Sequence, residues 1–315
     1  MPKNLKADYF CAPGDNYSKK DPDECGDKYV AVFLPDRKIY AVFDGARSPV
    51  VPQNVASPYD FKIEGKATDE WAAMFAVKEM VRLAQKHPHF SLVDLLARIN
   101  QNMAARLDEL KKKLYKGETP PPDKVWRPAC AFAAIMLHDD GSAEIAQGAD
   151  CMLVGITGDQ KADLITPPQR LETGGMRVPA SKLAAQLTGK GAFSEEKAKE
   201  IAYTTENAYI AANRGRYYNK AGGLTVLNGE LEMLAHIVTC TLSPAEMAQY
   251  DALYLITDGV FVPSEKGNQR YTEAVRRIYH SSAEVFYRNV MQSHYRTQEN
   301  RHVPVDVTLI ELKFS

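Results

Sequence analysis

Nothing in this sequence is apolar for long enough to cross a bilayer. Its longest strongly apolar stretch, Ala129 to Leu137, falls far short of the ~20 residues a spanning helix needs. The start, MPKNLKADYFCAPGD, lacks the apolar run of a secretory signal. Charge of neither sign dominates: 39 basic residues face 40 acidic ones, a formal net charge of −1, so no membrane surface or nucleic acid is expected as a partner. Close cysteine pairs are missing too. Cys11, Cys25, Cys130, Cys151 and Cys240 are scattered, without the spacing of zinc ligands, and their odd number argues against a full disulfide framework. A reducing compartment is the simplest reading and the cytoplasm the expected location, with the nucleus or a removed targeting segment left open. There are no repeats or low-complexity tracts, no G-x-S-x-G elbow and no distinctive Cys–His pair, which leaves serine and cysteine hydrolysis without a signature. His87 and His89, flanking Pro88, read as surface residues.

What is present is an ordinary globular composition, 45% hydrophobic and 25% charged over 315 residues, enough chain to bury a core without disulfides. Apolar runs rich in β-branched and aromatic residues, bounded by Gly, Pro and Asp, predict about nine strands. YVAVF (Tyr29 to Phe33) and KIYAVF (Lys38 to Phe43) make a hairpin around Leu34-Pro35-Asp36-Arg37, and CAFAAIML with SAEIAQ a second one around His138 to Gly141. CMLVGIT, ADLITP, MLAHIVT, ALYLIT and VTLIELKF complete the set. Helices are predicted over Asp69 to His87, capped by Thr68, and over Leu92 to Tyr115, opened by a Ser91/Asp94 capping box. Ser243-Pro244-Ala245-Glu246 starts another, and a last helix runs through Tyr271 to Gln292. Strands and helices do not alternate regularly, which disfavours a Rossmann sheet. The expected fold is α+β: a sandwich of two mostly antiparallel sheets flanked by helices, in one domain spanning 1–315. The segment Arg170 to Gly229 is read as irregular, with Arg214, Arg216 and Lys220 placed to meet acidic or phosphorylated partners or, more simply, on a solvated loop.

Two apolar runs end alike, in Asp44-Gly45 and in Asp258-Gly259. A carboxylate at the end of a buried strand is rigidly held and suits a hard cation, and glycine after it allows a sharp turn. Taken singly, each is a common turn dipeptide. A haloacid-dehalogenase-type phosphotransferase also begins with a strand-end aspartate, but needs a second one where Ala46 stands.

In order, YVAVF, IYAVFDGA, a helix, ACAFAAIMLHDDGSAEIAQGADCMLVGI, DALYLITDGVF and VDVTLIELKF resemble the metal-dependent (PPM, type 2C) protein phosphatases, from about Asp27 to Lys313. The resemblance implies hydrolysis of phosphoserine and phosphothreonine by a water activated between two Mn2+ or Mg2+ ions. It implies Asp44 as the carboxylate bridging both ions, the Gly45 carbonyl and Asp258 as further ligands, a phosphoprotein substrate and a monomer. It also implies a mobile flap within 170–229.

Several positions depart from that family. Before YVAVF the best match to its acidic pair is Gly26-Asp27, with Asp23-Glu24 a second alignment. No arginine precedes either, so Lys19, Lys20 or Arg47 would have to meet the phosphate, and a lysine lacks the bidentate fork. Ala46-Arg47-Ser48-Pro49 replaces a glycine-rich stretch that often carries a histidine general acid. Gly148-Ala149-Asp150-Cys151 puts Ala149 where an aspartate serves a third ion, with Asp150 adjacent. Near the end, Val305 occupies an expected ligand position and Asp306 follows it, a shift that on a strand turns the side chain to the other face but that, just before the strand, still lets loop geometry bring Asp306 to the metal. Two readings result: a working phosphatase with a variant site whose metal ligands are Asp27, Asp44, Gly45, Asp258 and Asp306, or a pseudophosphatase that keeps the fold to bind a partner.

Overall fold

Side-chain alternation builds two five-stranded antiparallel sheets. The computed structural model describes residues 5–13, 25–53, 55, 61–169, 180–189, 193–292 and 306–314. One sheet has the order β1 (Leu5–Ala12), β12 (Val307–Phe314), β11 (Tyr250–Ile256), β8 (Met152–Thr157) and β9 (Ala162–Thr166). The other runs β10 (Val238–Leu242), β7 (Ala143–Gly148), β6 (Ala129–His138), β3 (Arg37–Ala46) and β2 (Lys28–Phe33). A short hairpin of β4 (Lys62–Ile63) and β5 (Lys66–Ala67) leads into α1 (Thr68–Lys86), followed by α2 (Leu92–Leu114) and the single turn α3 (Asp123–Trp126).

The period-2 pattern of each central strand feeds two cores. On β3, Ile39, Ala41 and Phe43 pack with Trp71, Met80, Leu96 and Ile99 of α1 and α2, while Tyr40 and Val42 meet Leu253, Leu255, Ile310 and Leu312 between the sheets. The first sheet is covered outside by α7 (Gln269–Tyr279), whose Tyr271, Ala274, Val275 and Ile278 pack on Val154, Tyr254 and Leu309. Each fully buried large apolar side chain contributes about 1.5–3 kcal/mol, so the central strands, buried on both faces, hold most of the stability.

Asn100 fastens α2 to the chain beyond it. Its Nδ2 donates to the Glu230 carbonyl at 2.6 Å, and its Oδ1 accepts from the amides of Asn228 (3.1 Å) and Gly229 (2.7 Å). Asn100→Ala strands three buried backbone groups and is expected to destabilise by about 1–3 kcal/mol, read from urea unfolding midpoints; an unchanged midpoint would mean the contacts are dispensable.

The sandwich matches the expectation, and most strand bounds fall within one or two residues of it. Differences have local causes. MLAHIVT is split: Leu231–Ala235 is a 3-10 turn, and pairing begins only at Val238. Thr68 does not cap α1; Ala67 holds that position without a side-chain bond, and Thr68 Oγ1 accepts from the Ser48 amide at 3.0 Å instead. The Ser91/Asp94 and Ser243/Glu246 capping boxes both form, although the second opens only a single turn, α6 (Pro244–Met247). The expected last helix breaks after Tyr279, and Ser282 caps a new short turn, α8 (Ala283–Phe286). Within 170–229 the described residues form α4 (Ala180–Gly189) and the 23-residue α5 (Glu195–Tyr217), not an irregular loop. Arg214 of α5 is buried and donates to the carbonyls of Arg127 and Arg47, so its expected place on a solvated loop is corrected.

Candidate metal centre

Asp44 continues the face of β3 that carries Tyr40 and Val42, so it points into one end of the gap between the sheets. Asp27 leads into β2 on the face shared by Ala31, and is 2% exposed. Asp258 follows β11, and Asp150 lies in the turn from β7 to β8. Asp306 precedes β12 in phase with Thr308, Ile310 and Leu312, of which Ile310 and Leu312 line the same gap. The one-residue shift past Val305, which itself lies outside the described residues, therefore leaves an aspartate on the inward face. Asp306 Oδ2 accepts the Gly26 amide at 2.5 Å, which ties the leads of β2 and β12 together across the sandwich.

The local chain is shaped for close approach. A Cβ on Gly45 would lie 2.4 Å from the Asp69 carbonyl oxygen and 2.6 Å from that of Gly26. One on Gly259 would lie 2.0 Å from the Asp306 carbonyl oxygen. Both Asp-Gly pairs thus need glycine for space, beyond any turn preference. Ala149 adopts φ 58, a left-handed conformation held by Gln169, whose Oε1 accepts its amide at 2.9 Å. Ala149 offers no carboxylate; Asp150, its neighbour, is the one that faces the others.

Electrostatics show how near these groups are. Burial raises the pKa of Asp44 well above the carboxylate range, with repulsion from Asp27, Asp258 and Asp150 adding to it. Burial, then Asp306, does the same to Asp27, against a hydrogen bond from Thr257. Asp258 is pushed up to about 7 by burial and Asp150, and Asp150 is raised by its own burial. Asp44 is close enough to both Asp27 and Asp258 for carboxyl–carboxyl hydrogen bonding. As placed, no group of three or more His, Cys, Asp or Glu side chains among the described residues is set to hold a metal ion. The fit to a cation rests instead on donor chemistry: hard oxygens, mutually repelling and half-buried or buried, with Asp27 Oδ2 buried and lacking any hydrogen-bond partner.

Of the expected phosphate contacts, Arg47 is turned elsewhere: its Nε and Nη2 both donate to Asp69 Oδ2, at 3.0 and 2.8 Å. Lys19, Lys20, Asp23 and Glu24 lie outside the described residues. No motif points to Arg270 at the start of α7, the cation that lowers the pKa of Asp258 and Asp150. Its guanidinium stands 5.2 Å over the Phe261 ring, and its Nε is buried without a partner.

The sign of the pH dependence follows from these shifts. Raised carboxylates hold protons longer in the folded chain than in the unfolded one, so stability is full below the unfolded pKa and is lost as pH rises towards the folded value. For Asp258, the window runs from 3.8 to about 7, at a cost of up to about 4 kcal/mol. In EDTA, Asp258→Asn is expected to melt progressively higher than the wild type across that window. A constant difference would show that Asp258 does not titrate among like charges.

The architecture defines a class: the fold is that of PPM-type serine/threonine phosphatases. No protein-family model and no curated protein sequence matches the chain. Among solved structures it is similar to the serine/threonine phosphatase Stp1 of Staphylococcus aureus, at 14% identity and a TM-score of 0.54, over 100% of this chain and 97% of that one. A bacterial serine phosphatase gives 14% identity and 0.53 over 99% and 98% of the two chains. The S. agalactiae serine/threonine phosphatase gives 11% and 0.53 over 99% and 100%.

Proposed function

We propose that the protein is a metal-dependent serine/threonine protein phosphatase acting on phosphoserine and phosphothreonine in protein substrates. The observation that carries this reading is the row Asp27–Asp44–Asp258. These three carboxyl groups come from the ends of separate strands; burial raises the pKa of each, and the charges of Asp27 and Asp258 raise that of Asp44 further. Such a row is stabilised by divalent cations more than by any arrangement of protons. Asp44, central in it, would bridge two Mn2+ or Mg2+ ions, with Asp27, the Gly45 carbonyl, Asp258 and Asp306 as the further ligands. Bound there, the ions would supply Lewis-acid activation of water and neutralise phosphoryl charge. The chain's own part is to hold these oxygens on rigid strand ends, which keeps the site within the narrow tolerance that phosphoryl transfer needs. Arg270 adds positive charge on the Asp150–Asp258 side, and Arg47 reaches a phosphate only by leaving Asp69.

The competing reading, a pseudophosphatase, draws on that Arg47–Asp69 pair, which leaves the expected phosphate ligand engaged. Phosphate release from a phosphothreonine peptide, with and without Mn2+, separates the two. The phosphatase reading requires Mn2+-dependent release; no release with or without Mn2+ would favour the pseudophosphatase.

A further inference from the structure

Of the five cysteines, two meet. Cys11 on β1 and Cys25, just before β2, bring their sulfurs to 3.3 Å although they are 14 positions apart. Among the described residues the other three do not pair: Cys130 and Cys151 are buried and Cys240 is half-buried. The position of the pair is what gives it consequence. Cys25 begins the stretch Cys25-Gly26-Asp27, whose Gly26 amide holds Asp306 Oδ2. Its carbonyl accepts from Lys28 Nζ. Cys11 lies opposite Thr308 in the β1–β12 ladder, and Thr308 Oγ1 donates to its sulfur at 3.1 Å. The lead that carries Asp27 and the strand that Asp306 precedes therefore both touch the thiol pair. Cys11 is exposed and Cys25 buried, so a solvent-borne oxidant reaches Cys11 first.

We propose that Cys11 and Cys25 form a reversible disulfide under peroxide, and that closing it weakens cation binding at the neighbouring carboxylates. The chemistry balances with hydrogen peroxide as oxidant. The Cys11 sulfur attacks one peroxide oxygen, giving the sulfenic acid and releasing one water. The Cys25 sulfur then attacks the Cys11 sulfur; the S–S bond forms, the S–O bond breaks, and hydroxide leaves as a second water with the Cys25 proton. Two thiols lose two hydrogens and two electrons, and a dithiol reductant reverses the step. Drawing the sulfurs from 3.3 Å to a bond of about 2.05 Å closes a gap wider than the ~0.5 Å a ligand set tolerates, and the part of it that Cys25 takes up falls on the lead to Asp27. The second half of the proposal rests on the metal-site reading; the first does not.

The test treats the EDTA-stripped protein with hydrogen peroxide and digests it without reductant. A Cys11–Cys25 cross-linked peptide is expected by mass spectrometry, absent in Cys25→Ser and lost on adding dithiothreitol. Mn2+ titration by calorimetry should then show about 10-fold weaker binding in the oxidised wild type and no change on peroxide treatment of Cys25→Ser. Oxidation of Cys11 without a cross-link overturns the proposal, as does a cross-link that leaves Mn2+ affinity unchanged. A reduced protein that binds no Mn2+ sinks the metal reading instead, and the digest still decides whether the disulfide forms.

Discussion

Asp44→Asn is expected to remove Mn2+-dependent phosphate release, lowering kcat/KM by more than about 100-fold, the upper end of what even an outer-shell change at a metal site costs. The same variant should melt at a higher temperature than the wild type in EDTA at neutral pH. Both results come from one cause. Asp44 sits between Asp27 and Asp258, where burial and like charge hold its pKa well above the usual range. Without a cation that charge opposes folding, and with one it is the group that binds it. Asparagine keeps the shape and drops the charge, so stability and activity move in opposite directions. A variant that loses activity and also melts lower in EDTA would mean that the carboxylate serves a structural partner. One that keeps activity would exclude Asp44 as a ligand.

Gly45→Ala has the largest expected effect on folding. The added carbon would stand 2.4 Å from the carbonyl oxygen of Asp69 and 2.6 Å from that of Gly26. Both obstacles are backbone, one at the first turn of α1 and one beside Asp27, so neither can swing away as a side chain end would. Overpacking of this kind costs about 1–3 kcal/mol or more, and the shift it forces falls on the residues next to two of the carboxylates. Thermal unfolding and a Mn2+ titration of the variant should both move downward. Gly189→Ala, where nothing lies within 4 Å, is the control and should fold as the wild type does. A Gly45→Ala protein indistinguishable from that control would refute the close packing at the Asp-Gly turn.

Much of the fold could be read from the chain because its central strands are buried on both faces. β3, β6 and β11 appear as continuous apolar runs, which need no partner to be recognised. β1 could not be read so easily: LKADYFCA places Lys6 and Asp8 outward, and among the described residues it pairs only with β12 at the sheet edge. The helix α5 was hidden because its sequence, EEKAKEIAYTTENAYIAANRGRY, shows a weak apolar face, and Arg214 gave no sign that it is buried against backbone carbonyls.

In the site, Asp44 and Asp258 carried a local signal, an apolar run ending in Asp-Gly. Asp306 carried an ambiguous one. Its one-residue offset predicts the wrong face only if the expected ligand position defines the inward phase, and here Ile310 and Leu312 define it. Arg47 and Arg270 were opaque for a different reason. Whether a guanidinium faces a phosphate or a carboxylate depends on residues far along the chain, and Asp69 is 22 positions from Arg47. No spacing rule links Arg270 to Asp150.

The central claim is that Asp44 is the carboxylate shared by two divalent ions. Anomalous diffraction from crystals soaked in Mn2+ measures this directly. Two Mn2+ peaks are expected, both in contact with an Asp44 oxygen, with Asp27, Asp258 and Asp306 around them. Peaks that avoid Asp44, or no peak at that end of the sandwich at saturating Mn2+, would contradict it.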